Sequence, residues 1–414
     1  MGLAGTVSLI SNANQIRPEV YADWWTILAV GENKVFILFQ NAISSINLST
    51  GATAKTAHSI DIYGCVLLSS GMSKSGYLDF KILHTTVAEA QGSKHLYLTH
   101  ARMDTSTLAI VSSSTTLLSG PLLNDGPGRM ELLSTRGDIA FCGGDSLNYL
   151  LAVNLNNLTY WKTATGGHTG AYYMFSQTWL ADRTTHKPYI FWGQHYWIVG
   201  SQTSCGIYDP ATDTMTSYTT FNANSGAVHW PKLYEDSSKK LHFIYTATSS
   251  TLVLGARYSK YYLMYVDNGV LTSEITPVGG SAYTSGTCAD ISPLVLGVTP
   301  DNTLALATQG SIPISYITNN SPAFTAAVDL IECTDLLDTP TKIAMVTDAV
   351  PANSNVGTCG HTPVAFLLQS DWSYRIPLQM YPYDPSTQKG TMKIAKIILT
   401  TDIKPNPYVV LVPP

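Results

Sequence analysis

The side chains best suited to meeting a ligand are aromatic, imidazole and guanidinium groups gathered in short polar stretches between apolar segments. His168, Tyr172 and Tyr173 form one group, Gln194, His195, Tyr196 and Trp197 a second, and His229 and Trp230 with Arg257 and Tyr258 a third. Asp23, Trp24 and Trp25, and Trp372, Tyr374 and Arg375, make two more. Aromatic faces stack on the apolar CH side of sugar rings, His and Gln hydrogen-bond hydroxyls, and Arg grips a carboxylate through two parallel bonds. The set therefore fits a glycan. It also fits elimination on a uronate polymer, in which His or Tyr takes the C5 proton, a second group protonates the leaving oxygen and Arg neutralises the carboxylate. His168, His195, His229, Tyr258 and Arg257 are the candidates for that chemistry. The competing reading is structural, because Trp and Tyr at strand starts pack between sheets and a His beside Trp-Pro is often a satisfied core histidine.

Other chemistries lack their residues. There is no Walker loop, dinucleotide fingerprint or His-Glu-x-x-His, and Gly143-Gly144 and Gly166-Gly167 read as turn or packing glycines. No pair of carboxylates stands out for glycoside hydrolysis. The six cysteines, Cys65, Cys142, Cys205, Cys288, Cys333 and Cys359, include no Cys-x-x-Cys and no His at zinc-ligand spacing. They read as small buried hydrophobes or as one or two disulfides, so neither a metal nor a cofactor is expected.

The elements that must position these groups are strands. Val228 to Tyr234 runs through a polar turn into Leu241 to Thr246, and Tyr261 to Val266 turns through Asp267-Asn-Gly269 into Val270 to Ile275. Two hairpins in succession make four antiparallel strands, A to D, with A–B and C–D turns at one end and B–C and D–A loops at the other. Candidate B strands recur at Val35 to Phe39, His95 to Leu98, Ile139 to Cys142, Tyr189 to Trp192, Leu241 to Ile244, Leu304 to Ala307 and Val364 to Leu367. Their spacing of roughly 45 to 65 residues is that of four-stranded propeller blades. Two Tyr-Asp-Pro-x-Thr stretches, at Tyr208 and Tyr383, read as C–D turns. The expected fold is thus all-β, a single closed β-propeller over residues 1–414, with seven blades and terminal strands closing the ring. Aligning Gly286-Thr-Cys288 with Gly357-Thr-Cys359 instead makes Val364 an A strand and leaves six or eight blades open.

Ile139-Ala-Phe-Cys-Gly-Gly144, Leu150 to Leu155 and Leu158 to Trp161 resemble a kelch-type blade, and Ile207-Tyr-Asp-Pro-Ala-Thr212 resembles the kelch outer hairpin. Hairpins with a polar turn before Leu-x-Phe or Tyr-Ile-Phe are similar to neuraminidase-like repeats. The resemblance implies a fold and not an activity. The double glycine is present in one blade, and no Ser-x-Asp-x-Gly-x-Thr-Trp box occurs.

Charged residues are only 12% of the 414, and the net charge is −5 with no basic block. That argues against nucleic acid and anionic membranes as partners. No run reaches a membrane span, and the N-terminus lacks a basic segment before its apolar residues, so it reads as an edge strand. Asn47, Asn157 and Asn319 begin Asn-x-Ser/Thr sequons near proposed C–D turns, away from the loop face. Together these features point to an extracellular or virion-surface propeller. It would bind glycan or a surface protein without catalysis, as an adhesin, receptor-binding or structural component, and is compatible with a homo-oligomer or larger assembly. The polysaccharide lyase is the alternative.

Overall fold

The computed structural model describes residues 2–10, 25–73, 75–89, 93–123, 131–136, 139–143, 149–164, 174–195, 203–209, 214–221, 228–235, 241–247, 258–273, 291–301, 303–310, 324–333, 341–350, 354–358, 365–382, 391–406 and 409–412. Among these there is no helix. The strands fall into seven sheets. Trp25–Val30, Lys34–Phe39, Ala42–Asn47 and Thr53–Ala57 form the first, and Gly64–Met72, Tyr77–Thr85, Tyr97–Asp104 and Ile110–Leu117 the second. The third holds Glu131–Arg136, Ile139–Gly143, Tyr149–Asn154 and Thr159–Ala164, and the fourth Met174–Ala181, Pro188–His195, Thr203–Asp209 and Thr214–Phe221. Val228–Glu235, Leu241–Ala247, Tyr258–Asp267 and Val270–Ser273 make the fifth, and Ile291–Val298, Leu304–Gly310, Phe324–Cys333 and Thr341–Val350 the sixth. In each, chain order is spatial order.

The seventh sheet joins the two ends of the chain. Phe366–Leu368, Ser373–Pro382, Thr391–Leu399 and Gly5–Ile10 lie side by side, with Ser354–Thr358 beside the far half of Ser373–Pro382. Val410–Val412 adds a parallel strand to Phe366–Leu368, and Lys404–Pro405 pairs with Gly297 and Val298 on the free edge of the sixth sheet.

Sheet-to-sheet packing explains the apolar runs. In the first sheet Ile27, Val35, Ile37 and Ile46 share a core with Phe366, Leu368, Ile394 and Val412 of the seventh. The alternate residues Leu28, Phe36, Leu38 and Ile43 share another with Leu78, Phe80, Ile82 and Met103 of the second. A strand between two sheets must be apolar on both faces, so period-2 alternation vanishes into continuous stretches such as Val35-Phe-Ile-Leu-Phe39. Equivalent cores join the second sheet to the third and the sixth to the seventh. The first strands of the third and fourth, fourth and fifth, and fifth and sixth sheets are also neighbours. The arrangement is all-β and propeller-like.

Two local devices recur. The first strand carries one extra residue against its partner at Leu28, Leu68, Leu133 and Leu296, a β-bulge that sharpens the local twist. In the fifth sheet Trp230 and Pro231 occupy that place, where a residue without an N–H removes no ladder bond. The second device is a turn headed by Asn or Asp. Asn47, Asp104, Asn154 and Asp182 each accept, on side-chain Oδ1, the backbone N–H groups two and three residues on, at 2.7–3.0 Å. The fifth residue, Gly51, Leu108, Leu158 or His186, sits at positive φ between 55° and 71°. Leu108 and Leu158 turn their side chains into the cores, which offsets the conformational penalty.

Two strand expectations are corrected. His95 to Leu98 is not a B strand, because Tyr77–Thr85 fills that place, pairing with Gly64–Met72 on one side and Tyr97–Asp104 on the other. Its Leu78, Phe80 and Ile82 supply the buried residues an interior strand needs. His95 lies in the B–C loop instead. Nor is Val364 to Leu367 a B strand. Gly5–Ile10 takes the outermost place in the seventh sheet, so Phe366–Leu368 is its A strand and Ser373–Pro382 its B strand. The Tyr383 stretch then joins B to C and not C to D.

Gly297 gives a direct test of how residues 403–405 seat on the sixth sheet. A Cβ there would run into the Lys404 carbonyl oxygen and meet Ile403 Cδ1 at 2.8 Å. Gly297→Ala should lower unfolding free energy by about 1–3 kcal/mol, the usual penalty of overpacking. Denaturant titration checks this, and unchanged stability would mean that 403–405 does not seat against the sixth sheet.

Candidate functional site

Each sheet has a turn end, carrying A–B and C–D turns, and a loop end, carrying B–C and D–A connections. In the fourth sheet His195 closes its strand opposite Met174, and Gln194 pairs with Phe175. In the fifth, His229 pairs with Thr246 near the start of the first strand, and Tyr258 pairs with Ala247 at the start of the third. Gln194, His195, His229, Trp230 and Tyr258 therefore stand at the loop ends of two sheets whose first strands are neighbours. Trp25 opens the first sheet at its loop end. His168, Tyr172, Tyr173, Tyr196, Trp197, Arg257, Asp23, Trp24 and Asn319 lie outside the described residues.

Trp372, Tyr374 and Arg375 are not at a loop end. Residues 369–372 make an A–B turn, because the seventh sheet begins at Phe366–Leu368. The third strand of this sheet ends opposite Ser373, and the chain runs on to Lys404–Pro405 at the turn end of the sixth sheet. Tyr374 is buried in the core between those two sheets. Arg375 is 1% exposed and donates from Nη2 to Asp371 Oδ2 at 2.8 Å and from Nε to Ser373 Oγ at 2.8 Å. Lys396 Nζ donates to the same Asp371 oxygen at 2.7 Å. Partial burial opposes the Asp371 charge, but Lys396, Ser373 and Arg375 outweigh it and hold the carboxyl down to about 2. Arg375 fixes a turn, whereas Trp372 is 63% exposed at φ 51°.

The second sheet supplies a polar cluster that the sequence reading passed over. Residues 86–89 and 93–96, between its second and third strands, bring Glu89 beside His95 and Tyr97. Glu89 Oε1 accepts from His95 Nδ1 at 2.6 Å and from the Tyr97 hydroxyl at 3.0 Å, while Oε2 accepts the His95 backbone N–H at 2.9 Å. Partial burial works against the Glu89 charge, but these donors outweigh it and keep the carboxyl below its ordinary value. Burial, and then Glu89, push the Tyr97 hydroxyl up, which keeps it protonated and donating. In a neutral ring the bond from Nδ1 to Glu89 leaves Nε2 as the acceptor. The His95 side chain is 39% exposed and that of Glu89 18%.

The floor of this cluster is built for rigidity. Buried Lys94 donates from Nζ to the carbonyls of Thr86 and Glu89 at 2.8 and 2.9 Å and lies 4.5 Å from the centre of the Tyr63 ring. Tyr97 stacks on His84 at 5.7 Å between ring centres. His84 is buried, which lowers its pKa, and bonds Thr99 Oγ1 at 2.7 Å. Asp61 accepts the N–H groups of Val87 and Ala88 at 2.9 and 3.3 Å and so ties the preceding D–A loop to this one.

Asn47 and Asn157 fall in C–D turns of the first and third sheets. Cys65 and Cys142 are free and buried, which pushes the Cys142 thiol up to about 12. Among the described residues no His, Cys, Asp and Glu group could hold a metal ion, and no helix is long and apolar enough to cross a membrane.

No known protein-family model matches the chain, and no curated protein matches it. Solved structures with a likeness include a family PL25 ulvan lyase bound to -[GlcA(1-4)Rha3S]-, 10% identical over 94% of each chain with a TM-score of 0.43. The Aleuria aurantia lectin in complex with Fucalpha1-6GlcNAc is 9% identical over 80% of this chain and 94% of its own, with a TM-score of 0.37. The WD40 domain of SCAP from fission yeast is 8% identical over 90% of this chain and 81% of its own, at 0.35.

The placement of Arg375 predicts a stability phenotype. Arg375→Ala should destabilise by about 1.5–3 kcal/mol, the loss of a hydrogen bond to a charged group, since Asp371 is partly exposed and keeps Lys396, and should leave ligand recognition unchanged. Because the Asp371 pKa is lowered on folding, the stabilisation is full above about pH 4 and is lost as pH falls towards 2. Chemical denaturation of both proteins between pH 7 and pH 2 checks it; equal stability throughout would return Arg375 to the ligand-binding candidates.

Proposed function

We propose that this chain is a closed seven-bladed propeller, similar in its repeats to kelch-like folds, that binds glycan or a surface protein through its loop end. It works outside the cell or on a virion, as an adhesin, receptor-binding or structural component, and does not catalyse a reaction. The observation that carries this reading is the common placement of Gln194, His195, His229, Trp230 and Tyr258 at neighbouring loop ends. Aromatic and imidazole groups on a rigid strand scaffold recognise a polyhydroxyl ligand with little ordering penalty. Low charge agrees with an exposed surface that acts through hydroxyl and aromatic contacts.

His195, His229 and Arg257 changed together to Ala should leave the fold intact and abolish ligand recognition. A glycan array, run beside a uronate-polymer assay at 235 nm with far-UV circular dichroism, tests this. Loss of folding would make these residues structural. If the wild type degraded a uronate polymer and the triple variant did not, the lyase reading would replace the binding one, with His168, His195, His229, Tyr258 and Arg257 as its residues.

Sequons at Asn47, Asn157 and Asn319 extend the reading, with sugars at C–D turns covering the turn end and leaving the loop end bare. Asn157 is exposed, and Asn47 keeps its side-chain NH₂ while Oδ1 caps the turn. Peptide mapping of native material should find them modified; unmodified asparagines would remove the shield.

A further inference from the structure

The cluster of the second sheet has a charge and hydrogen-bonding balance that selects among sugars. Two carboxylates, Asp61 and Glu89, stand near the surface, and Asp61 is exposed. The nearby ammonium of Lys94 is turned inwards, engaged by two loop carbonyls and the Tyr63 ring. Among the described residues of this loop no cation is offered to an incoming ligand. The groups that do reach solvent accept hydrogen bonds: His95 Nε2, for which no partner occurs among the described residues, and the carboxylates. Tyr63 and Tyr97 are half-buried, each held by a neighbour, Lys94 and His84 respectively. Rings so fixed lose little freedom when a sugar stacks on them.

We infer that this cluster is a subsite for an uncharged, hydroxyl-rich sugar, an inference that rests on the glycan-binding reading of the loop end. Sugar hydroxyls donate to His95 Nε2 and the carboxylates, and the apolar CH side lies against Tyr63 or Tyr97. A uronate or a sulfated sugar brings another anion to a place that already holds two carboxylates against one engaged ammonium, and its oxygens find acceptors where they need donors. The Glu89–His95 bond is the positioning element, since it presents Nε2 and not Nδ1 outwards.

The test uses the full chain on an array of neutral, uronate-bearing and sulfated oligosaccharides, followed by calorimetric titration with the best neutral one. The wild type should prefer neutral sugars. His95→Ala should weaken that binding about tenfold, the loss of one well-placed hydrogen bond. His95→Gln, which restores an acceptor on a side chain of similar reach, should recover part of it. Near-UV circular dichroism confirms that both variants stay folded. Unchanged affinity in His95→Ala, together with loss in the His195, His229 and Arg257 triple variant, would overturn this subsite and leave the loop-end reading standing. A wild type that prefers uronates or sulfated sugars would overturn the charge argument, and one that binds no glycan would remove the reading itself and this inference with it.

Discussion

The structure depends on sheets that must be hidden on both faces. Phe36 turns to the second sheet while Ile37 turns to the seventh, and neither is exposed to any extent. Each such side chain contributes about 1.5–3 kcal/mol on burial, so a sheet with only one neighbour would leave half of that gain unmade. Face-to-face stacking therefore propagates from sheet to sheet. It also limits where polar groups can go, because positions facing a neighbouring sheet have no room for them, and the outermost strands and the sheet ends are what remains. A chain with 12% charged residues is what such an arrangement permits.

The two ends divide the work. Turn ends repeat one solution, an Asn or Asp side chain bonding successive backbone N–H groups, and leave few atoms for anything else. The buried Asp182 shows how far this goes, since its second oxygen accepts the Gly269 N–H and so links the fourth sheet to the fifth. In the second sheet Lys94 shapes the loop from within, while His95 stays partly exposed on the Glu89 carboxylate.

How much could be read in the sequence follows from which signals are local. Hairpins at Leu241 and Val270 were legible because polar turns and Asp-Asn-Gly interrupt apolar strands, and the structure holds both. His95 was misassigned because Leu96 and Leu98 imitate a strand core, while Tyr77–Thr85 carries Asp79 and Lys81 and looks more polar than its place allows. Trp372 and Arg375 were sent to the wrong end because the partner that shifts the seventh sheet, Gly5–Ile10, lies at the far end of the sequence. The Gly-Thr-Cys alignment makes Val364, which lies outside the described residues, part of an A strand, and Phe366–Leu368 shortly after it is the A strand of the seventh sheet. Apolar-apolar-small triplets such as Ile27-Leu-Ala29 and Val295-Leu-Gly297 mark the bulges, but only pairing partners reveal that the middle residue is the extra one.

The seventh sheet also sets a timetable. Gly5–Ile10 leaves the ribosome long before its partner Thr391–Leu399, and Val410–Val412 follows later still. Until then the first sheet can cover only one of its faces, and Ile27, Val35 and Ile37 wait without their neighbours. Contacts between such distant segments form slowly, because loop closure must precede any gain from them. The nascent chain therefore carries an open apolar face from the first sheet until those strands arrive, and aggregation competes with folding most strongly just before they do.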